Sequence, residues 1–368
     1  MAIAQETVLE INLTKLKHNF DFIKSQLADN TKFIAVVKAF AYGNDAAAIA
    51  TYLQNLEVDY FAVAYVSEGI NLRKAGIHKP IIVLHPQPVN FKLLIEHCLE
   101  PNLYSFKVLN EFMQVSENLK QCSYPVHIKF NTGLNRLGFV LEDVKKITEI
   151  TNNQPFIKIS SIFSHLAASE DLNERLFTQQ QISRFQNIKT DFKTLSNHNP
   201  FSHITNTSGI LNYPEAHFDA VRSGIGLYGF GNSKDHDKKL HPIACLKSII
   251  SQIHLIEPGE SIGYNRAFTA NKPMKTATIP VGHADGISRK LGNKNYAVLV
   301  NNQPAKIIGN VCMDMMMVDV TNIDCNEGDE IIIFNSQKMI QEIANNSETI
   351  PYETLTAISQ RVKRLLKC

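Results

Sequence analysis

Short apolar segments alternate with longer amphipathic ones over about the first 230 residues of the chain. Helix-forming segments such as 44–56, 67–76 and 173–195 separate the apolar ones. Eight strand–helix repeats predict an α/β fold that begins with an N-terminal (β/α)8 TIM-like barrel. An open doubly wound sheet is the competing prediction, although the glycine-rich first turn typical of that fold is absent. The eight predicted strands are 33–38, 60–65, 80–85, 102–106, 125–131, 159–165, 201–206 and 218–226.

The pattern changes after about residue 240. Strand-like segments follow one another there, at 244–257, 275–282, 296–309, 315–322 and 329–335. Asn301-Asn302 predicts a hairpin turn, and residues 352–366 predict a closing amphipathic helix. We therefore expect a barrel domain over 1–238 and a C-terminal mostly-β domain over 239–368. The first ten residues or so are candidates to pack on the second domain.

Composition excludes several classes of function. The 37 basic and 35 acidic residues nearly balance, so a nucleic-acid partner is not expected. No apolar segment approaches the roughly 20 residues of a membrane span, and no basic and apolar leader opens the chain, which predicts a cytoplasmic protein. The six cysteines are scattered and have no metal-site spacing, so we expect reduced thiols and no metal.

Polar side chains collect where the predicted barrel strands end, which is where barrels of this kind carry their active sites. Lys38 ends the first strand and Arg222 lies on the eighth. The loops after strands seven and eight, 206–208 and 223–226, offer hydroxyls and glycine N–H groups that suit a phosphate. A lysine amine opposite a phosphate site predicts pyridoxal 5'-phosphate (PLP) as the cofactor. Arg222 would face the pyridine nitrogen and can only donate to it.

Eight motifs carry a resemblance to a known family, in the same order along almost the whole chain. They are AVVKAFAYG, NTGLNRLG, ITNTSG, VRSGIGLYG, IGYNRAFTA, GHADGISR, NVCMDMMMVDV and IPYETLTAISQRVKR. The sequence resembles the PLP-dependent alanine racemases, which are fold-type III isomerases of bacteria. The resemblance implies interconversion of L- and D-alanine, with D-alanine destined for cell-wall peptidoglycan.

The resemblance also assigns residues. Lys38 and Tyr264 are implied as the two catalytic bases, one on each face of the substrate Cα, with Lys38 also forming the Schiff base. The implied cofactor-binding residues are Lys38, Tyr42, His165, Asn206, Thr207, Arg222, Gly224, Ile225 and Tyr352. The implied substrate-binding residues are Arg136 and Met313. The implied supporting residues are Lys129 (a site of carbamylation that holds Arg136), Cys312, Asp314, His283 and Arg289, the last two at the access channel.

The implied mechanism needs two chains. A hydrogen-bonded series from Tyr264 through His165 to Arg222 would tune the tyrosine, whose ordinary pKa near 10 makes it a poor base at neutral pH. In this family the tyrosine comes from the other subunit. The resemblance therefore implies a homodimer with shared active sites.

Three positions depart from the family pattern. Phe40 stands where asparagine is usual, Asn131 replaces an aspartate near Arg136, and His283 replaces a tyrosine. Thr207 replaces a serine and keeps the hydroxyl. The first three changes bear on substrate size, pH optimum and the modification of Lys129, and leave both bases in place.

Simpler interpretations stand beside these assignments. Taken alone, Lys38 could be a surface lysine, Tyr264 a strand aromatic and His165 a core histidine. Residues 315–317 read as strand packing, and Cys312 as a buried, unreactive thiol. Other functions also remain: a racemase of serine or of a broader set of amino acids, a non-catalytic PLP-binding protein, or a decarboxylase of the same architecture. The decarboxylase lacks support because neither its glycine-rich phosphate loop nor an acidic ring partner is present.

Overall fold

The computed structural model describes residues 6–368, which form two compact units. One unit holds residues 17–41 and 46–240. The other holds residues 6–16, the short piece Tyr42–Asp45 and all residues from His241 onward.

A closed barrel of eight parallel strands forms the core of the first unit. Each strand is almost fully buried, as in Phe33–Val36, because helices cover the outside and side chains fill the inside. The (β/α)8 prediction is confirmed at all eight predicted strands, and the open-sheet alternative is wrong. The barrel strands, in order around the barrel, are β2 (Lys32–Val36), β3 (Tyr60–Val63), β4 (Ile81–Val83), β5 (Glu100–Leu103), β6 (Tyr124–Lys129), β7 (Ile157–Phe163), β8 (Phe201–His203) and β9 (Ala220–Ser223).

Helices connect these strands. Ser105 caps the N-terminus of helix α6, since its side chain accepts the N–H of Val108, and Asn206 caps α9 by accepting the N–H of Gly209. The α-helices up to the end of the barrel are α1 (Leu13–Lys24), α2 (Lys38–Gly43), α3 (Ala46–Asn55), α4 (Val66–Lys74), α5 (Phe91–Glu96), α6 (Phe106–Asn118), α7 (Val144–Thr151), α8 (Arg175–Leu195), α9 (Thr207–Asn212) and α10 (Lys234–Asp237).

The second unit is built on a nine-stranded sheet, as the mostly-β prediction required. Its first strand, β1 (Thr7–Asn12), comes from the start of the chain and pairs antiparallel with β10. The predicted hairpin is confirmed, since Val300 pairs with Gln303 and both Asn301 and Asn302 have positive φ. The other eight strands of this sheet are β10 (Ala244–Ile249), β11 (Gln252–Ile256), β14 (Met274–Ile279), β15 (Ala297–Val300), β16 (Gln303–Ile308), β17 (Met316–Asp319), β18 (Glu330–Phe334) and β19 (Lys363–Lys367). Strands β12 (Ser261–Ile262) and β13 (Phe268–Thr269) form a separate two-stranded sheet.

The predicted helix over 352–366 is wrong in its second half. Helix α12 spans only Pro351–Thr356, and Lys363–Lys367 forms β19, which pairs parallel with β1. The positions of Leu365 and Leu366 are compatible with a helix or a strand. The segment forms a strand because its backbone hydrogen-bonds to β1. A further helix, α11 (Gln337–Asn346), was not predicted, and Ser336 caps it by accepting the N–H of Met339.

No helix within residues 6–368 is long and apolar enough to span a membrane. No group of three or more His, Cys, Asp or Glu side chains in that range is arranged to hold a metal ion.

Candidate active site

Lys38 lies immediately beyond the carboxyl end of β2, at the start of a left-handed turn. Residues 39–42 all have φ between 52° and 57°, and Gly43 has φ 83°. A left-handed conformation costs about 1–2 kcal/mol for each residue with a Cβ, so the surroundings must hold it. Glu68 does part of this. One carboxylate oxygen accepts the N–H of Ala39 at 2.6 Å, and the other accepts the N–H of Ala64 at 2.7 Å.

The charge around Lys38 favours its neutral amine. Burial lowers the pKa of Lys38, and the cations Arg136 and Arg222 lower it further, while Glu68 opposes them. A lowered pKa means that more of the amine is deprotonated at neutral pH. Lys38 is therefore suited to act as a nucleophile or a base.

Arg222 is buried on β9 and held by four partners. Its guanidinium donates to the carbonyls of Ser164 at 2.7 Å and Ile204 at 3.1 Å. It also donates to Nδ1 of His165 at 3.0 Å and to Nδ1 of His203. These bonds hold the planar group in one orientation.

His165 is a half-buried acceptor beside Arg222. Because the guanidinium only donates, Nδ1 of His165 carries no proton, and the ring proton is on Nε2. Burial and the nearby cations Arg222 and Lys129 hold the pKa of His165 well below its ordinary value. His165 is thus a neutral imidazole with a proton to donate from Nε2, and the Arg222–His165 part of the expected series is present.

The loop after β9 has the donors that a phosphate needs. The backbone N–H groups of Gly224 and Ile225 are buried, and among residues 6–368 neither has a hydrogen-bond acceptor. Buried N–H groups are rarely left unpaired, so this loop suits an anion. The Thr207 hydroxyl accepts the N–H of Gly226 at 3.2 Å and lies 3.1 Å from the Ser223 hydroxyl, which ties the two loops together.

The side chain of Asn206 is engaged at the start of helix α9. Its side-chain oxygen accepts the N–H of Gly209 at 2.9 Å and the hydroxyl of Ser169 at 2.7 Å. The side chain therefore caps helix α9 and shapes the loop that presents Thr207.

Lys129 ends β6 inside the same cationic mouth. Burial lowers its pKa to about 8, and Arg136, Arg222 and Lys38 add to the effect. Arg136 is exposed on the loop that follows β6. Asn131 organises that loop, since its oxygen accepts the N–H groups of Gly133 at 3.1 Å and Asn135 at 3.0 Å.

The second unit carries the remaining predicted residues. Tyr264 lies on a turn with positive φ at Gly263 and Asn265, and its side chain is 75% exposed. Met313 is also exposed. For a phenol and a thioether, such exposure is unusual unless another surface covers them.

The GHADGISR and NVCMD motifs pack backbone to backbone in that unit. The N–H of His283 donates to the carbonyl of Cys312 at 2.9 Å. Arg361 bridges the motifs by pairing with Asp285 at 2.6 Å and Asp314 at 2.7 Å. Burial raises the pKa of the Cys312 thiol, in keeping with an unreactive group.

The charge of Arg289 lowers the pKa of the Cys312 thiol and so opposes the effect of burial. The side chains of Arg289 and His283 are both exposed.

Tyr42 and Tyr352 meet within the second unit. Their ring centroids are 6.0 Å apart, and burial raises the pKa of Tyr42 above its usual range. Gly43 follows Tyr42 and packs so closely that a Cβ there would lie 2.0 Å from the carbonyl oxygen of Leu355. Arg364 donates to the carbonyl of Gly43 at 2.8 Å.

The structure thus brings together the predicted barrel residues Lys38, Lys129, Arg136, His165 and Arg222. Sequence reasoning missed Glu68, His203 and Arg361. His203 stands three residues before the end of the seventh apolar segment, 201–206, so its position on a strand was the available signal. Glu68 and Arg361 act through contacts far away in sequence.

The family comparisons agree with this arrangement. The alanine racemase N-terminal domain matches residues 11–231, and the alanine racemase C-terminal domain matches residues 243–366. Alanine racemase 1 of Caldanaerobacter subterraneus subsp. tengcongensis is 36% identical over 370 residues, covering 98% of this chain and 94% of the relative.

Solved structures are similar over the same extent. Alanine racemase of Clostridium difficile 630 superposes with a TM-score of 0.94 at 33% identity, covering 99% of this chain and 96% of that one. The Bartonella henselae enzyme, solved with covalently bound pyridoxal phosphate, has a TM-score of 0.89 at 26% identity and covers 99% and 100%. Two matching domains, a full-length relative and the barrel-mouth geometry lead to one conclusion: this chain belongs to the alanine racemase family.

Proposed function

We propose that this protein interconverts L-alanine and D-alanine with PLP bound at the barrel mouth. One observation carries the proposal: a lysine of lowered pKa shares that mouth with a buried arginine that can only donate. The unpaired N–H groups of Gly224 and Ile225 fit the cofactor phosphate, and the hydroxyl of Thr207 lies beside them.

The bound cofactor would withdraw electrons from the amino acid and so make its Cα–H more acidic. Arg222 limits how far this goes. As a permanent donor it leaves the ring nitrogen unprotonated, which favours brief loss and return of one proton over deeper electron withdrawal.

Two side chains would move the proton. Lys38 removes it from one face of Cα, and Tyr264 returns it to the other face, which inverts the centre. The neutral His165 holds its proton on Nε2, where it can support the phenol of Tyr264. Arg136 and Met313 would orient the substrate, with Arg136 facing its carboxylate.

A homodimer with shared sites would supply Tyr264. Tyr264, Met313 and Met315 are all large and exposed on the second unit, which supports a covering surface on another chain. A two-fold dimer would place the same surface of each chain against the other barrel. We infer a cytoplasmic enzyme whose D-alanine feeds peptidoglycan synthesis.

Carbamylation of Lys129 is part of the proposal. The neutral amine attacks CO2 to form a carbamate and releases one proton, and a pKa of about 8 leaves enough neutral amine for this. The resulting anion would pair with Arg136. Incubation with 13C-bicarbonate should give a carbamate 13C signal that is absent from Lys129→Met.

A non-catalytic PLP-binding protein is the main rival. Such proteins resemble a lone barrel, whereas this chain continues into a nine-stranded sheet that presents Tyr264. A broader substrate range remains a prediction for which serine, lysine and arginine are the compounds to screen.

The test is to incubate the PLP-loaded protein with L-alanine in D2O and to follow both the Cα–H signal and the chirality of the product. We expect exchange together with conversion to D-alanine. Lys38→Ala and Tyr264→Phe should each abolish conversion. Tyr65→Phe, at another exposed tyrosine, is the matched control and should remain active.

Other outcomes would contradict the proposal. Exchange with full retention of L-alanine would mean that a single base acts and that the role of Tyr264 is wrong. Bound PLP with no exchange for any amino acid would favour the binding-protein function.

A further inference from the structure

A continuous series of side chains crosses the barrel interior from its bottom to Arg222. Glu100 Oε2 lies 2.7 Å from His127 Nε2, and His127 Nδ1 lies 2.6 Å from Ser161 Oγ. Ser161 Oγ lies 3.1 Å from His203 Nε2, and His203 Nδ1 accepts from Arg222. All five residues are buried, with at most 9% of any one exposed.

The stagger of the barrel strands explains how the series rises. Five consecutive strands, β5 to β9, contribute one residue each. His127 pairs with Asn102, two residues beyond Glu100, and lies level with Ser161. His203 pairs with Phe163, two residues beyond Ser161, and Arg222 lies two residues beyond the partner of His203. Each inward-facing residue therefore meets the next one across the tilt of the barrel.

Donor chemistry allows only one arrangement in which every proton of the series has an acceptor. Arg222 only donates, so His203 accepts at Nδ1 and carries its proton on Nε2. That proton goes to Ser161, whose own proton goes to His127 Nδ1. His127 then carries its proton on Nε2 and gives it to the Glu100 carboxylate. Every bond points from the cation to the anion.

Aromatic rings hold both imidazoles in the required planes. His203 stacks on Phe163 with centroids 4.8 Å apart and 5° between the planes. The Phe201 ring also stacks with His203, at 5.6 Å between centroids, and makes an edge contact with His127 at 6.2 Å. Neither imidazole can turn to exchange its nitrogens without displacing these rings.

We propose that Glu100, acting through His127, Ser161 and His203, is a remote positioning residue that holds the Arg222 guanidinium in one orientation. This role rests on the proposed function, in which Arg222 faces the cofactor ring. Glu100 is the carboxylate at the end of the series. Any tilt of the guanidinium plane would misdirect the donor.

The first test reads the protons directly. Histidine labelled with 15N, in the wild-type protein without cofactor, should show His203 and His127 as neutral rings with the proton on Nε2. A cationic ring, or a proton on Nδ1 of either residue, would overturn the proposal. This measurement needs no racemase activity, so failure of the proposed function would be recognised separately.

The second test interrupts the series in the loaded enzyme. Ser161→Ala removes the middle link, and Glu100→Gln removes the charge while keeping an acceptor oxygen. Each should lower kcat about tenfold with KM changed less than about twofold, and each should alter the absorption spectrum of the bound cofactor. The double variant should be no worse than either single one, because the series acts as a unit.

Ser202→Ala is the matched control. It deletes a buried serine hydroxyl on the adjacent strand β8, one that bonds to Asp219 outside the series. It should lower thermal stability and leave kcat and the cofactor spectrum unchanged. Equal losses of kcat in all three variants would overturn the proposal, and so would intact kcat in Ser161→Ala and Glu100→Gln. Either result would mean that these side chains only help to pack the barrel interior.

Discussion

Lys129 shows how a single buried residue links stability to pH. The residue is 7% exposed, and burial together with the cations Arg136, Arg222 and Lys38 lowers its pKa from 10.5 to about 8. The unfolded chain therefore holds this proton more tightly than the folded one. The resulting penalty is complete below about pH 8 and disappears as the pH rises towards about 10.5.

Replacing Lys129 by methionine should remove this penalty. We expect Lys129→Met to raise the free energy of unfolding at pH 7 by on the order of 1–3 kcal/mol, and the gain to shrink by about pH 10. Urea unfolding in CO2-free buffer at both pH values measures it. Lys158→Met, at an exposed lysine on β7, should show no such pH dependence. A gain in Lys129→Met that is the same at both pH values would contradict the prediction.

The left-handed turn Lys38–Gly43 is the element that sets the direction of Lys38. Its backbone is unfavourable for four residues with a Cβ, so the bonds that hold it matter more than in an ordinary helix. Glu68 provides bonds from outside the turn and connects it to the N-terminus of α4.

Glu68→Gln should therefore weaken the turn. The amide can replace only part of the charge-assisted bonding to Ala39, Ala64 and Tyr65, so we expect a loss of about 1–3 kcal/mol in unfolding free energy and weaker PLP retention. Thermal unfolding and cofactor absorbance after dialysis measure these effects. Glu117→Gln, on the exposed face of α6, is the control. Full PLP retention in Glu68→Gln would show that the turn holds without the carboxylate.

Gly43 ends the same turn, and a substitution there tests how closely the turn packs within the second unit. Gly43→Ala adds a Cβ 2.0 Å from the Leu355 carbonyl oxygen at φ 83°. We expect a loss of at least about 3 kcal/mol from clash and backbone strain together. Gly76→Ala has nearly the same φ, 84°, with nothing within 4 Å of the new Cβ, so it isolates the strain at about 1 kcal/mol. Equal losses in the two variants would mean that the close approach relaxes freely.

At the scale of the whole molecule, active sites built from two chains predict a different result for a mixed dimer from active sites built from one chain. Lys38→Ala and Tyr264→Phe are each expected to be inactive. In a mixed dimer with shared sites, one site has both bases intact and the other has neither. Co-refolding the two variants should therefore restore about a quarter of wild-type activity.

The same mixture distinguishes the alternative arrangement. If both bases came from one chain, every site of the mixed dimer would lack one base and no activity would return. Sedimentation of the mixture confirms that dimers have formed, so that an inactive mixture of dimers contradicts shared sites.

The sequence by itself determined the barrel, the sheet domain and the family. Eight short apolar segments form strands that are almost fully buried, and most of them are recognisable from their own residues, such as FIAVVK and PIIVLH. The AVVKAFAYG motif identified Lys38, and the Asn301-Asn302 pair identified a hairpin, because turn residues act on their own backbone.

The tertiary structure alone decided the rest. Residues 363–367 became a strand because β1, some 350 residues earlier, offered an unpaired edge. Glu100 and His127 are connected to Arg222 by hydrogen bonds through Ser161 and His203, because the stagger of five strands aligns residues that are far apart in the chain. Local patterns record which residues are buried or turn the chain. Pairing partners across a closed barrel depend on register, which only the folded chain defines.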